Sequence, residues 1–153
     1  KHGPDSADSE LFRDRVTVVT PVAETPQNVT DNVSQFWKSL GANVISMSPQ
    51  QHDQAVAATS HVPHLVASAL AAATAKEHLP VAATGWLDTT RVAAGNAELW
   101  EQILTDNQAQ VLKSLDKFET VLGSLREALH HNHSEDLIQL LEVGKQTRDA
   151  VGS

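Results

Sequence analysis

A change in residue pattern at Ser48 is the feature that most constrains the fold of this chain. Before it, "RVTVVTP" (residues 15–21) and "ANVISMS" (residues 42–48) are short β-branched runs, which are typical of strands. Between them, apolar residues recur at helical spacing, at Val29, Val33, Phe36, Trp37 and Leu40. This order predicts a β-α-β unit with parallel strands. Because two strands are too little sheet to be stable alone, we expect more sheet upstream of Lys1.

Helical patterning dominates from Ser48, a predicted N-cap followed by Pro49, almost to the end of the chain. In the earlier unit, Thr25 is the predicted cap, with Pro26 at the first helical position. A seam suited to another helix is predicted where apolar residues step by 4, 3, 4, 3 and 4 positions, at Val111, Leu115, Phe118, Leu122, Leu125 and Leu129. Ser134 is predicted to cap a last helix with its leucines facing inward, at Leu137, Leu140 and Leu141.

The aromatic content of the chain is low, with three Phe, three Trp and no Tyr among 153 residues. So few large rings favour flat, close packing based on Ala and Leu, with helices that two chains share. The predicted fold class is therefore mainly α, with a strand-helix-strand unit at residues 1–47 and an all-helical region at residues 48–153. We expect a homodimer.

Charge and composition exclude several classes of function. With 11 Lys and Arg against 19 Asp and Glu, the formal net charge is -8, which would repel a phosphate backbone, so nucleic acid is not an expected partner. The chain has no cysteine, which excludes thiolate metal sites and favours a cytoplasmic location. The longest apolar run, residues 65–75, is shorter than the roughly 20 residues that span a bilayer, so no membrane segment is predicted. The amino end, "KHGPDSADSE", lacks the pattern of a signal peptide and is typical of a chain entered partway through.

The stretch "TSHVPHLVASAL", residues 59–70, places polar groups in an apolar helical run. A helix turns about 100° per residue, so Asp53, Ser60 and His64 are predicted to share one face. Pro63 should kink the helix there, and a kink beside polar groups makes room for a ligand. The alternative is that Ser60 bonds back to the helix while His61 and His64 are partly buried and satisfied by neighbouring carbonyls. The pattern leaves both interpretations open.

A second candidate stretch is "TGWLDTTRVAAGNAELW", residues 84–100. Arg91 presents a planar fork that can grip a carboxylate through two hydrogen bonds, and Asp88, three residues earlier, could hold that fork in position. The alternative is an ordinary Asp88–Arg91 ion pair on one helical turn, with no bearing on function.

The eight histidines raise the question of a metal site. Zinc needs three or four convergent ligands, and neither "HHNH" at residues 130–133 nor the pair His61 and His64 with His52 upstream has the spacing of a strong motif. We therefore predict no metal. The "HHNH" segment is typical of a solvated turn at the carboxyl end of a long helix. The sequence also has no GxGxxG, no phosphate-binding loop and no nucleophile elbow.

The order "HDQAVAATSHVPHLVASAL", then "GWLDTTRVAAGNAELW", then a long helix resembles the carboxyl-terminal half of the prephenate and arogenate dehydrogenases. The resemblance extends over essentially the whole chain. It implies that residues 1–47 are the end of a doubly wound dinucleotide-binding domain, and that residues 48–153 are a helical substrate-binding and dimerisation domain. It also implies an NAD- or NADP-dependent oxidative decarboxylation of prephenate to 4-hydroxyphenylpyruvate in tyrosine biosynthesis, with arogenate as the alternative substrate.

The resemblance implies site residues as well. His64 and Arg91 would line the substrate site, with Arg91 binding a substrate carboxylate, and further matching positions lie close to that site: Ser60, His61, Asp88 and Trp100. The Gly-rich turn and the His-Pro loop with the catalytic base are absent from these residues, and His2 is not that base. We therefore expect no catalytic residue and no bound NAD or NADP in this chain, and no activity from it alone. A purely helical interaction module and a histidine metal site remain the alternatives from other classes.

Overall fold

The computed structural model describes residues 8–152, which divide into two compact units between Thr59 and Ser60. His2 lies outside the described residues. The two strands are β1 (Val16–Val19) and β2 (Asn43–Ser46), and the helices are α1 (Gln27–Ser39), α2 (Pro49–Val56), α3 (Val62–Ala73), α4 (Thr84–Thr90), α5 (Ala97–Asp106), α6 (Gln108–His130) and α7 (Ser134–Asp149). Short 3₁₀ turns are at Lys76–Val81 and Arg91–Ala94. The predicted division into domains at residues 47 and 48 stays a prediction.

The first unit contains the predicted β-α-β arrangement. β1 and β2 are parallel, in register from Val16 opposite Asn43 to Val19 opposite Ser46, and α1 packs on both strands. The β-α-β prediction is therefore confirmed, and so is the mainly helical fold class. The cap prediction for α1 is wrong, because Pro26 is the N-cap. The Thr25 hydroxyl instead accepts a hydrogen bond from the backbone N–H of Val22, at 3.1 Å, in the turn before the helix.

Ser48 caps α2 as predicted. Its hydroxyl accepts from the Gln51 backbone N–H at 3.2 Å, and the Gln51 side-chain oxygen accepts from the Ser48 N–H at 2.9 Å. This reciprocal capping box satisfies two N–H groups that a helix start leaves without partners, and Pro49 occupies a position where no N–H is needed.

A π-helical turn at Ala57–His61 separates α2 from α3. Pro63 follows it, at one of the first positions of α3. In a regular α-helix the proline ring would collide with the carbonyl oxygen four residues earlier, and a wider π-turn is a known way to accommodate such a break. The predicted kink therefore takes the form of a single wide turn that ends at His61.

In the second unit, α3 packs against α4, α6 and the Arg91–Ala94 turn, while α5 and α7 pack on α6. The buried apolar residues are small or medium in size: Val62, Ala67, Val111 and Ala128. A hydrogen bond of 3.0 Å from Trp86 Nε1 to the Thr74 hydroxyl ties α4 to the end of α3. The small size of the buried apolar side chains agrees with the expected close helix packing based on Ala and Leu.

Much of the predicted seam on α6 is not covered within this chain. Val111 is buried, but Leu122 and Leu129 are 52% and 62% exposed. An apolar groove of about 610 Å³ lies between α3 and α6, with Glu119 as its one charged lining residue; the others are Leu65, Val66, Ala69, Leu70, Ala73, Leu115, Phe118 and Leu122. The start of α7 also differs by one residue from its prediction, because His133 is the N-cap and Ser134 is the first helical residue. Of its three leucines, Leu141 is 58% exposed, so the prediction that all three face inward is wrong for Leu141.

Helical conformation is continuous over Pro49–Ala73, because the π-turn joins α2 to α3. These 25 residues include an 18-residue window of mean hydropathy 1.2, of which 28% is buried, so the helix is long and apolar enough to cross a membrane by length and composition alone. The unbroken apolar run at residues 65–75 is much shorter, so it did not predict this helix. A single such helix is weak evidence, since core helices of globular proteins meet the same criteria.

Candidate functional site

The centre of the candidate site is a stacked pair of rings, His64 on α3 and Trp100 on α5. Their centroids are 3.6 Å apart and their planes differ by 9°. His64 is buried, with 7% of its surface exposed, and its Nδ1 atom is the one buried side-chain nitrogen or oxygen in residues 8–152 that has no hydrogen-bond partner. Buried polar atoms are nearly always paired, so an unpaired one on a packed ring marks a place where a ligand can bind.

His61, at the end of the π-turn, lies against the same tryptophan. The centroids of the His61 and Trp100 rings are 6.4 Å apart, and the two ring planes are nearly perpendicular, at 84°. His61 is also buried, and its Nδ1 is 3.4 Å from the side-chain nitrogen of Asn107, at the junction of α5 and α6. The alternative in which neighbouring carbonyls satisfy both histidines is therefore wrong for His64 Nδ1, which is unpaired.

The turn before α5 fixes the direction of that helix. Asn96 caps it, because its side-chain oxygen accepts from the Leu99 N–H at 2.8 Å. Gly95 lies directly against the stacked rings: a Cβ atom there would collide with Trp100 Nε1 and lie 3.3 Å from His64 Cε1. Only a residue without a side chain lets the backbone approach both rings of the stack this closely.

Arg91 begins the 3₁₀ turn that packs on α3. Its side chain is exposed, and among residues 8–152 it makes no salt bridge and no side-chain hydrogen bond. Asp88, on α4, is exposed too and does not pair with it in the part of the chain described. The interpretation as a helical ion pair is thus not supported, and the guanidinium is available to an anionic ligand.

Ser60 is exposed within the π-turn. The residue whose hydroxyl bonds back to the helix is Thr59, which donates to the Ala55 carbonyl at 2.8 Å. Asp53 is 3.1 Å from His52 Nδ1 on α2. The expectation that Asp53, Ser60 and His64 share a face rested on a constant 100° step, and the π-turn between them does not have that step.

Three further histidines, His130, His131 and His133, lie at the turn between α6 and α7. A cleft of about 780 Å³ there is lined by His131, His133, Glu127 and Asp136, and each imidazole is near a carboxylate, at 3.5 Å for His131 with Glu127 and 3.3 Å for His133 with Asp136. Within residues 8–152, no group of three or more His, Asp or Glu side chains is arranged to hold a metal ion.

Comparison with known proteins identifies the family of this chain. Residues 48–143 match the family described as prephenate dehydrogenase, dimerization domain. The chain belongs to this family. The prephenate dehydrogenase match begins at the residue where the helical pattern begins.

Individual relatives agree. The chain is 35% identical to the cyclohexadienyl dehydrogenase of Zymomonas mobilis over 98% of its own length and 54% of that protein, and 27% identical to the prephenate dehydrogenase of Bacillus subtilis over 99% and 42%. It thus spans about half the length of the curated relatives it matches. Among solved structures, a Synechocystis arogenate dehydrogenase gives a TM-score of 0.87 at 32% identity, covering 96% of this chain and 56% of that one. A prephenate dehydrogenase from A. aeolicus in complex with hydroxyphenyl propionate and NAD+ gives 0.85 at 29%, covering 99% and 55%.

The resemblance noted in the sequence is therefore confirmed at the level of the prephenate dehydrogenase family, while the roles of single residues stay predictions. Of the six named residues, the structure brings three into contact: His61, His64 and Trp100. Sequence reasoning missed Gly95 and Asn107. Asn107 lies just beyond the end of α5, and its contact with His61 spans 46 positions of sequence, so no local pattern indicated it.

We expect the stacked rings to stabilise this prephenate dehydrogenase domain as a pair. In a double-mutant cycle of His64→Leu and Trp100→Leu, the coupling free energy should be about 0.5–1.5 kcal/mol, as for other aromatic pairs. Urea unfolding at fixed protein concentration measures it. The matched pair His78→Leu with Trp100→Leu, which makes no ring contact in the described residues, should be additive within about 0.5 kcal/mol. Equal coupling in both cycles would contradict a specific stack.

Proposed function

We propose that this chain is the substrate-binding and dimer-forming part of a nicotinamide-dependent prephenate dehydrogenase of tyrosine biosynthesis, working in the cytoplasm. The observation that carries the proposal is the buried, unpaired Nδ1 of His64 beside a turn that begins with the unpaired cation Arg91. Family membership and the names of the relatives support the same activity.

The substrate explains why both groups are needed. Prephenate carries two carboxylates and a ring hydroxyl, so it loses strong hydration when it binds and needs fixed groups to replace it. Arg91 supplies a permanent charge and a planar fork that matches a carboxylate. His64 supplies a ring nitrogen whose position is held by the stack on Trp100 and by the packed start of α3. A neutral imidazole nitrogen orients a hydroxyl or carboxylate by hydrogen bonding.

The proposed reaction removes a hydride from the ring carbon that bears the hydroxyl and breaks the bond between the ring and its carboxylate. Carbon dioxide leaves, the electron pair of the broken bond between ring and carboxylate completes the aromatic ring, and the ring oxygen carries its proton in the product, 4-hydroxyphenylpyruvate, so no proton is lost overall. NAD or NADP would supply the hydride acceptor, and the A. aeolicus relative was solved with NAD+. The GxGxxG turn that holds a dinucleotide is not among the 153 residues of this sequence. Its part in the reaction is to bind and orient the substrate.

We propose prephenate as the substrate because an uncharged side-chain keto group suits the available groups. Arogenate carries an ammonium group instead, and none of the ion pairs in residues 8–152 places a carboxylate against His64. Asp88 is exposed on the neighbouring α4, and the Synechocystis relative is named an arogenate dehydrogenase, so arogenate stays the second candidate. Comparing the two substrates at equal concentration distinguishes them.

We also propose that two copies of the chain pair through the helical unit. The groove between α3 and α6 is almost wholly apolar, and the exposed leucines on α6 extend beyond it. A monomer would leave this surface in water, whereas a second copy would bury it. The family description, dimerization domain, supports the same assembly.

Arg91→Ala should reduce kcat/KM for prephenate in the complete enzyme by roughly 30- to 1000-fold, because a charge-assisted, two-point contact is lost. Most of the loss should be in KM if the contact is equally strong in the ground and transition states. Arg91→Lys should restore only part, since an ammonium cannot reproduce the fork. Steady-state kinetics at saturating nicotinamide measures both variants.

The matched control for that experiment is Arg126→Ala, which removes an exposed arginine from α6. It should remain within twofold of the unsubstituted enzyme. If Arg91→Ala also remained within twofold while it folded and dimerised normally, Arg91 would not be a substrate ligand.

Leu122→Asp should convert the dimer to monomer at micromolar concentration, because it places a charge in the apolar groove. Sedimentation velocity measures the change in mass. Lys117→Asp, on the same helix about 140° away, is the control and should leave the dimer intact. A stable, cooperatively folded monomer of the unsubstituted chain at the same concentration would contradict the proposed assembly.

A further inference from the structure

Asn107 occupies the junction between α5 and α6, where it ends one helix and begins the next. Asparagine is among the residues preferred at a helix start because its side chain can accept a backbone N–H. The Asn107 side chain makes no such capping bond to α6, whereas Asn96, in the same position of α5, does cap its helix. The Asn107 side chain therefore makes a contact outside α6.

That contact is with His61. The Asn107 side-chain nitrogen is 3.4 Å from His61 Nδ1, across 46 positions of sequence, in a part-buried setting. An amide nitrogen can donate but not accept a hydrogen bond, so Nδ1 is the acceptor and the proton of the neutral ring is on Nε2. This distance is at the long end of the range for a hydrogen bond. The His61 ring is buried, and a hydrogen bond to a buried group is stronger than the same bond in water.

The contact is the first of three that link four residues in a row. Trp100 lies on α5, and Asn107, seven positions later, is the cap residue that follows the last turn of that helix. Opposite them, His61 and His64 are three positions apart at the start of α3. Asn107 contacts His61, His61 packs edge-on against Trp100, and Trp100 stacks on His64.

We propose that Asn107 is a positioning residue for the substrate site: by donating to Nδ1 of His61 it fixes the tautomer and the ring orientation of that histidine, and through Trp100 it fixes the place of His64. The inference rests on the proposed function for the identity of the substrate. Asn107 itself does not contact the reacting atoms. Its effect on the reaction should therefore be an effect on how well the substrate is held.

The first test is imidazole nitrogen NMR of this chain with no substrate present. His61 Nδ1, assigned by its loss in His61→Gln, should have the chemical shift of an unprotonated ring nitrogen. Asn107→Asp is nearly isosteric but can only accept, so in this variant Nδ1 should become the protonated nitrogen. Asn96→Ala, which removes a cap from α5, should not change the tautomer. A protonated Nδ1 in the unsubstituted chain, or an unchanged tautomer in Asn107→Asp, would overturn the proposal.

The second test is kinetic and uses the complete enzyme. Asn107→Ala should lower kcat/KM by roughly 10- to 100-fold, as expected for small displacements of a binding group. The KM for prephenate should rise while the KM for the nicotinamide stays within twofold, a split that general loss of structure would not produce. Gln102→Ala, an exposed change on α5, is the control and should have no effect. Equal rises in both KM values, or no change in either, would overturn the positioning role.

Failure of the inference and failure of the proposed function give different results. If the unsubstituted enzyme turned over neither prephenate nor arogenate, the proposed function would fail, and the positioning role in that reaction would fail with it, while the tautomer result would still stand. If Arg91→Ala reduced activity as expected but Asn107→Ala did not, the proposed function would stand and only the role of Asn107 would be wrong.

Discussion

The parallel stack of His64 on Trp100 is the contact on which the candidate site depends. It joins the start of α3 to the middle of α5, two elements whose stacked residues are 36 positions apart in sequence, and it buries a ring nitrogen that the described protein atoms leave unpaired. Four neighbouring features position the two rings. The π-turn and Pro63 begin α3 in the right place, Asn96 begins α5, and Gly95 allows the connecting turn to approach the rings.

The rest of the second unit provides a frame rather than a thick core. Its buried apolar residues are small or medium-sized, and several leucines on α6 and one on α7 remain exposed. Helices with such surfaces are stabilised by packing against further apolar surface, since short helices in water are marginal by themselves. A second copy over the groove between α3 and α6 would supply that surface.

Local patterns predicted local structure well. The β-branched runs, the helical spacing between them and the Ser48–Pro49 start are short-range signals, and the structure confirms the elements they predicted. Errors came where a tertiary contact or a rare turn decided the outcome. The Thr25 side chain accepts a hydrogen bond in the turn before α1 instead of capping the helix, and Leu141 is exposed. The π-turn changed the angle per residue from which Asp53, Ser60 and His64 were predicted to share a face. In the site, the two histidines were found from the motif and Trp100 from the resemblance, but the Asn107–His61 contact spans 46 positions and has no local signature.

The central claim is that His64 and Arg91 face the substrate, and a crystal structure of the complete enzyme with hydroxyphenyl propionate tests it most directly, because a solved relative was obtained with that compound. The account predicts a polar atom of the ligand within hydrogen-bond distance, about 2.7–3.2 Å, of His64 Nδ1 and the ligand carboxylate paired with the Arg91 guanidinium. A ligand bound elsewhere, with His64 Nδ1 still unpaired and Arg91 in solvent, would contradict it.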